Sequence, residues 1–237
     1  MCLLAAAYRC PVCTGPTSRK RHNGAMPTLA ELTLCAAGHF NDYTNLAGTR
    51  AFSCYDRQGD SHVLEPVDFL APALLDAPVR GEHVRSLFLA SGVYRDLHDA
   101  MDTLLADEAA SVAQFRDQDL TAGTGPWNLV LDALKASDRT PYIKASKVTK
   151  ILHRKRPALV PIFDSRVAGF YGLTPREPWD FWPVIQGELR QHGKWLRQLT
   201  KDTLTPDGRS VTELRALDIV IWEHVTSRCT ELPRAND

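Results

Sequence analysis

From Glu65 onward, apolar residues recur every three or four positions, and that period fixes the fold class. "PVDFLAPALLDA" places Val67, Leu70, Leu74 and Leu75 on one helical face, with Pro72 as an expected kink. "YRDLHDAMDTLLAD" (94–107) aligns Leu97, Met101, Leu104 and Leu105 in one stripe. Further helices are predicted over 81–90, 126–137, 145–155, 164–172, 178–201 with a break near Gly193, and 211–227. In the last of these, Leu214, Leu217, Ile221 and Val225 keep helical spacing. The connections, such as "LTPREP" and "TPDGRS", are short and polar, and strands do not alternate with helices, which argues against a parallel α/β sheet. Residues 1–60 read differently. They are rich in Gly, Cys, Thr and Asn, and "NDYTNLAGTRAFSCYD" (41–56) suggests short strands around a turn at Gly48. The expectation is a mostly α protein: an irregular N-terminal section, 1–60, and a helical domain, 61–237.

Charge narrows the function. The chain has 28 basic and 28 acidic residues, so an anionic partner must be met by a local patch. Such a patch is visible. From Arg95 to Asp138 there are nine acids and three bases; residues 139–167 then carry eight bases and one acid, Asp164. No run reaches the ~18 apolar residues of a membrane span, and the start "MCLLAAAYRC" has no basic leader. The expectation is a cytoplasmic protein without a membrane partner, whose six cysteines are reduced thiols or metal ligands.

Within "RTPYIKASKVTKILHRKRPALVPIFDSRV", one helix ends at Thr140–Pro141 and a second starts near Ala145. Lys144, Lys147 and Lys150 are three apart and share a face. A helix N-terminus flanked by lysines suits a phosphate. Pro157 and Pro161 hold an extended link, and Asp164 opens the next helix. As an N-cap, aspartate contributes ~1 kcal/mol, and that reading stands beside a catalytic one; the two can coexist. For the cations, solvated surface charge stands beside phosphate contact.

This arrangement resembles the helix-hairpin-helix DNA glycosylases, which carry a G-V-G-x-[KS]-T-A hairpin, a helix, and then an extended segment ending in an aspartate. Residues Tyr142 to Val148 fall on that hairpin, and Asp164 follows Ser146 by 18 positions (164 − 146), the separation the motif expects. Both hairpin glycines are replaced, by Tyr142 and Lys144, so the close backbone approach that glycine permits is in doubt. Ser146 stands where members that also cut the backbone have lysine, which implies a monofunctional enzyme. A second resemblance, on "KILHRKRPALVPIFDSRV", "FW" (181–182), "LRALDIVIWE" and "YTNLAG", is to an uncharacterised bacterial domain family. In outline the chain is also similar to anti-phage glycosylases that excise glucosylated hydroxymethylcytosine.

These resemblances imply a two-lobed helical glycosylase-like fold and an enzyme that removes a modified or damaged base from double-stranded DNA, in one setting modified phage DNA. No cofactor is implied. Asp164 would stabilise the sugar cation and orient water. Lys144, Ser146, Lys147, Lys150, His153, Arg154, Lys155 and Arg156 would bind DNA, and Tyr43, Asn45 and Tyr142 would wall the pocket for an extruded base. Trp179, Trp182 and Trp195 are assigned to the core. From another class, the hairpin suits a non-catalytic DNA-binding module. A metal-dependent nuclease is weakened by the lack of an acidic cluster in the sequence. Separately, Cys10, Cys13, Cys35 and His39 form C-x2-C and C-x3-H pairs across a 21-residue gap; a structural zinc site and unassociated thiols are both open readings.

Overall fold

The structure, a computed structural model, describes residues 28–48, 50–57, 62–89, 92–174 and 178–227. After a short 3-10 turn at Glu31–Leu34 come α1 (Ala36–Thr44) and α2 (Phe52–Tyr55). A long 3-10 segment, Pro66–Leu75, leads to α3 (Gly81–Phe88), α4 (Val93–Ala106), α5 (Glu108–Val112), α6 (Pro126–Arg139) and α7 (Ala145–Lys155). The chain continues with α8 (Ser165–Phe170), α9 (Pro178–Thr200) and α10 (Glu213–Ser227). Among the described residues the only β pairing is an isolated antiparallel bridge between Leu204 and Ser210. No helix there is long and apolar enough to cross a membrane.

The helices sit where the apolar period placed them, within a residue or two at most ends. Two local expectations fail for physical reasons. Pro72 does not kink an α-helix; its missing N–H and its ring favour the tighter 3-10 winding along Pro66–Leu75. Gly193 does not break α9. It is a close-approach position: a Cβ there would lie 2.8 Å from Glu213 Oε2. Arg116 and Arg197 hold that carboxylate in place at 3.0 and 2.6 Å.

The described part of the N-terminal section is largely helical, and no strand forms among the described residues of 41–56. Ala36, Phe40 and Tyr43 fall on one face of α1 and are buried. Together with Leu29, Leu32 and Phe52 they enter the same core as Leu104, Val130, Ile151 and Leu217. Burying three aromatic rings outweighs the weak strand propensity of this segment.

Helix α10 is central. It packs on α1, α8 and α9, while α4 packs on α6 and α6 on α7. A helix surrounded this way should be apolar all round. Helix α10 instead buries Arg215, Asp218 and Glu223 among its apolar residues. Buried charges of this kind need partners, and those partners define the site.

Candidate functional site

The basic block folds inward. Lys150, His153, Lys155 and Arg156 are all buried. The Lys155 ammonium is wholly enclosed and lies 2.8 Å from Asp68 Oδ2. Arg154 Nη1 donates to the other Asp68 oxygen at 3.2 Å, and its Nε donates to Tyr55 O. Asp68 is available because it also closes a capping box at the start of the 3-10 segment, accepting from Glu65 N at 2.8 Å. Arg156 donates to the carbonyls of Lys155 and Leu105. His153 is fully buried, stacked on Tyr55 and joined through Nδ1 to Val160 O at 2.7 Å. Burial first, then the Arg215 charge, push its pKa down to about 3, so it is a neutral imidazole. These four side chains are taken up by the interior, whereas DNA contact was expected of them.

The hairpin keeps two outward lysines. Lys144 Nζ donates to Asp138 O at 2.8 Å, so its charge meets the open carbonyls at the end of α6. Lys147 Nζ donates to Tyr142 O at 2.9 Å. Ser146 is half-buried in the first turn of α7. Tyr142 occupies the left-handed backbone region, φ 65°, which favours glycine. Its ring is 66% exposed and stacks on His83 at 4.7 Å. It is on the hairpin's outer surface, not among the residues that line the Asp164 pocket. Asn45 is exposed too, accepting from Ala47 N in a local turn. Trp182 is in the core and Trp195 packs against it, whereas Trp179 is largely exposed.

Asp164 and Tyr43 do come together. With Lys150, Leu75, Ile162, Arg215, Asp218, Ile219 and Trp222 they line a pocket of about 20 Å³. That volume admits one water. Asp164 is indeed the N-cap of α8: Oδ1 accepts from Arg166 N at 2.8 Å. Oδ2 accepts from Lys150 Nζ at 3.0 Å, and the same ammonium donates to Leu75 O at 3.1 Å. Each carboxylate oxygen keeps a second lone pair, and the side chain is 14% exposed. The cap and the site are one residue, held by backbone on one edge and by an ammonium on the other.

Behind this pair is a charge network absent from the sequence reading. Arg215 grips Asp56 with two parallel bonds of 2.8 Å, donates to Tyr43 OH at 3.0 Å and pairs with Asp218. Its guanidinium also lies over the rings of Tyr43 and Tyr55. Burial raises the Tyr43 phenol to about 12. Burial, opposed by Arg215 and assisted by the nearby Asp164 charge, lifts Asp218 to about 6. Trp222 meets Tyr43 edge-on at 6.1 Å and carries Arg50 and Arg166 over its ring. Arg215, Asp218 and Trp222 are spaced i, i+3, i+7 and share a face of α10. Three charges on a helix otherwise dense with apolar residues were the available signal, in "LRALDIVIWE". Asp56 had none, since it reaches Arg215 across 159 residues.

The folded chain thus joins a mostly helical architecture to a pocket in which Asp164 is held by Lys150 and Asp218 by Arg215. Over residues 36–225 it matches DUF6308, a family of unknown function, and it belongs to that family. Comparison with curated proteins and with solved structures gives no match. Of the sulfur ligands expected for zinc, Cys10 and Cys13 lie outside the described residues. Cys35 precedes α1 and is disulfide-bonded, where a reduced thiol or a metal ligand was expected.

Proposed function

We propose that this protein is a DNA glycosylase that hydrolyses the N-glycosidic bond of a modified or damaged base in double-stranded DNA and leaves an abasic site. The observation that carries this reading is the pairing of Asp164 and Asp218 on one pocket, the first fixed by Lys150 and the second raised to about 6. A carboxyl group raised toward neutrality beside one held by an ammonium suits a different role from its neighbour. Asp164 stabilises the cationic sugar and holds the water that adds to C1′. Asp218, partly protonated near neutrality, supplies the proton that the departing base takes away. Lys150 positions Asp164. Tyr43 and Trp222 offer faces against which an extruded base can stack.

The pocket must widen to admit a base, since ligand sites commonly run to about 300–1,000 Å³. The parts able to move are on its rim. Arg166 is exposed, held by one hydrogen bond to Thr226 and by the Trp222 face, and Arg50 is half-exposed. With Lys144 and Lys147 these cations would meet the phosphate backbone. A helix-hairpin-helix type of glycosylase fold is part of this reading, supported by the α6–turn–α7 hairpin and the capping Asp164. Excision of glucosylated hydroxymethylcytosine in phage defence is its most specific form.

Incubation of the protein with duplexes of plain, damaged and modified bases, followed by alkali, tests the reading. Strand breaks that appear only after alkali, with free base detected by mass spectrometry and both lost in Asp164→Asn, are expected. Retarded DNA without base release would instead favour the binding module, and release that survives Asp164→Asn would remove Asp164 from the chemistry.

A further inference from the structure

A second group of chemistry-bearing side chains lies on the opposite end of the α1–α10 contact and plays no part in the reaction above. Cys35 and His39 are four apart at the start of α1, so they share its face. His224, near the end of α10, is brought against them, its ring 6.2 Å from that of His39 at an interplanar angle of 69°. One ligand atom from each, the Cys35 sulfur and a ring nitrogen of either histidine, lie within 4.8 Å of one another. The second observation is His39 itself. Its ring is 9% exposed, and Nε2 is buried with no hydrogen-bond partner. A buried nitrogen left without a partner carries a cost, unless a ligand takes its lone pair.

We propose that Cys35, His39 and His224 form a zinc site that clips α1 to α10. The donor set of one thiolate and two imidazoles is borderline-soft and suits Zn²⁺. Zn–S near 2.3 Å and Zn–N near 2.0 Å place tetrahedral ligand atoms roughly 3.3–3.7 Å apart, so side-chain rotations of about an ångström close the present spacing. Three protein ligands leave the fourth position for water or another donor. The cation binds the reduced form. The structure holds Cys35 as a disulfide. A thiol reductant delivers two electrons and two protons to the S–S bond, its own thiols becoming a disulfide. The freed Cys35 thiol then gives up its proton as zinc binds. The site therefore couples metal occupancy to redox state. Its position matters because Tyr43 lies one turn beyond His39 on α1, and Asp218 and Trp222 lie on α10 just before His224. A cation there fixes the two helices that frame the candidate pocket. This inference does not depend on the glycosylase reading.

The full chain, reduced and dialysed, is titrated with Zn²⁺ and with Co²⁺. Expected are about one equivalent bound, intense visible Co²⁺ bands of tetrahedral geometry and a near-ultraviolet thiolate charge-transfer band. All should vanish on oxidation with diamide. His224→Ala and Cys35→Ser should each weaken zinc by more than the roughly 10–100-fold that outer-sphere partners supply. Circular dichroism checks that each variant is folded. Should a variant not fold, the cobalt spectrum of the parent decides. Reduced parent protein that binds no stoichiometric metal, or a folded His224→Ala that binds zinc as tightly as the parent, overturns the proposal.

Discussion

Asp68→Ala is the sharpest test of an inward-turned basic block. Asp68 neutralises the enclosed Lys155 at 2.8 Å and Arg154 at 3.2 Å, and closes a capping box. Removing one partner of a buried pair costs about 3–5 kcal/mol, because the remaining charge has lost both water and counter-ion. The lost cap adds about 1 kcal/mol. A net loss of about 4–6 kcal/mol corresponds to a fall in Tm of roughly 8–24 °C for a chain of this size. Lys155→Met alone should cost less, since Asp68 retains Arg154 and Glu65 N. The double variant should recover part of the loss, with a coupling energy of about 2 kcal/mol or more. Urea denaturation followed by circular dichroism gives all three values. For DNA, a phosphate contact contributes about 0.9 to the slope of log affinity against log salt. Folded Lys155→Met should leave that slope unchanged, while Lys147→Met should lower it. If Asp68→Ala stays within about 1 kcal/mol of the parent, or Lys155→Met loses a unit of salt slope while remaining stable, the inward-facing account is wrong.

Three further outcomes follow from the same interior. His153 titrates near 3 in the fold against 6.5 for a free imidazole, so the unfolded chain binds the extra proton and stability falls as pH drops below 6.5, by roughly 5 kcal/mol at most. Asp218 works in the opposite sense, since its raised pKa withdraws roughly 3 kcal/mol as pH climbs from 3.8 to about 6. Between pH 4 and 6 the two slopes cancel; in Asp218→Asn, stability by urea titration should therefore rise with pH at about 1.4 kcal/mol per unit, and a flat profile would contradict the assignment. If Asp218 is the acid, base release should decline above pH about 6 and Asp218→Asn should flatten that limb, measured as initial rate against pH. Asp164→Asn should abolish release; its amide oxygen still accepts from Arg166 N, but the buried Lys150 loses its counter-ion, so a stability cost of up to about 3–5 kcal/mol is expected and circular dichroism must show the variant folded.

The helices were legible in the sequence because periodicity is local: Leu97, Met101, Leu104 and Leu105 state their face within one turn or two. Asp164 was legible for a similar reason, since a cap is specified by the residues that follow it. The fate of the cations was not. A window from 139 to 167 holds eight bases and one acid, and reads as a surface patch. Their counter-charges arrive from 86 residues away in Asp68 and from backbone carbonyls that have no sequence signature. Local charge counts measure what the chain carries and leave out what the fold brings to it.

That separation bears on what the pocket can do. Of the residues from 144 to 156, only Lys150 directs its charge to the carboxylate at the pocket, while its neighbours are tied to Asp68, to Tyr55 O and to the hairpin's own carbonyls. A lysine held by Asp164 and Leu75 O is already engaged as a donor, so it orients the aspartate. The electrostatic work then falls to the aspartates. Asp164 is pinned at two edges and only slightly open to solvent; Asp218 is enclosed and shares its arginine with Asp56. Preorganised charge of this kind needs no rearrangement when a cation develops beside it, which is the condition that the proposed sugar cation would require.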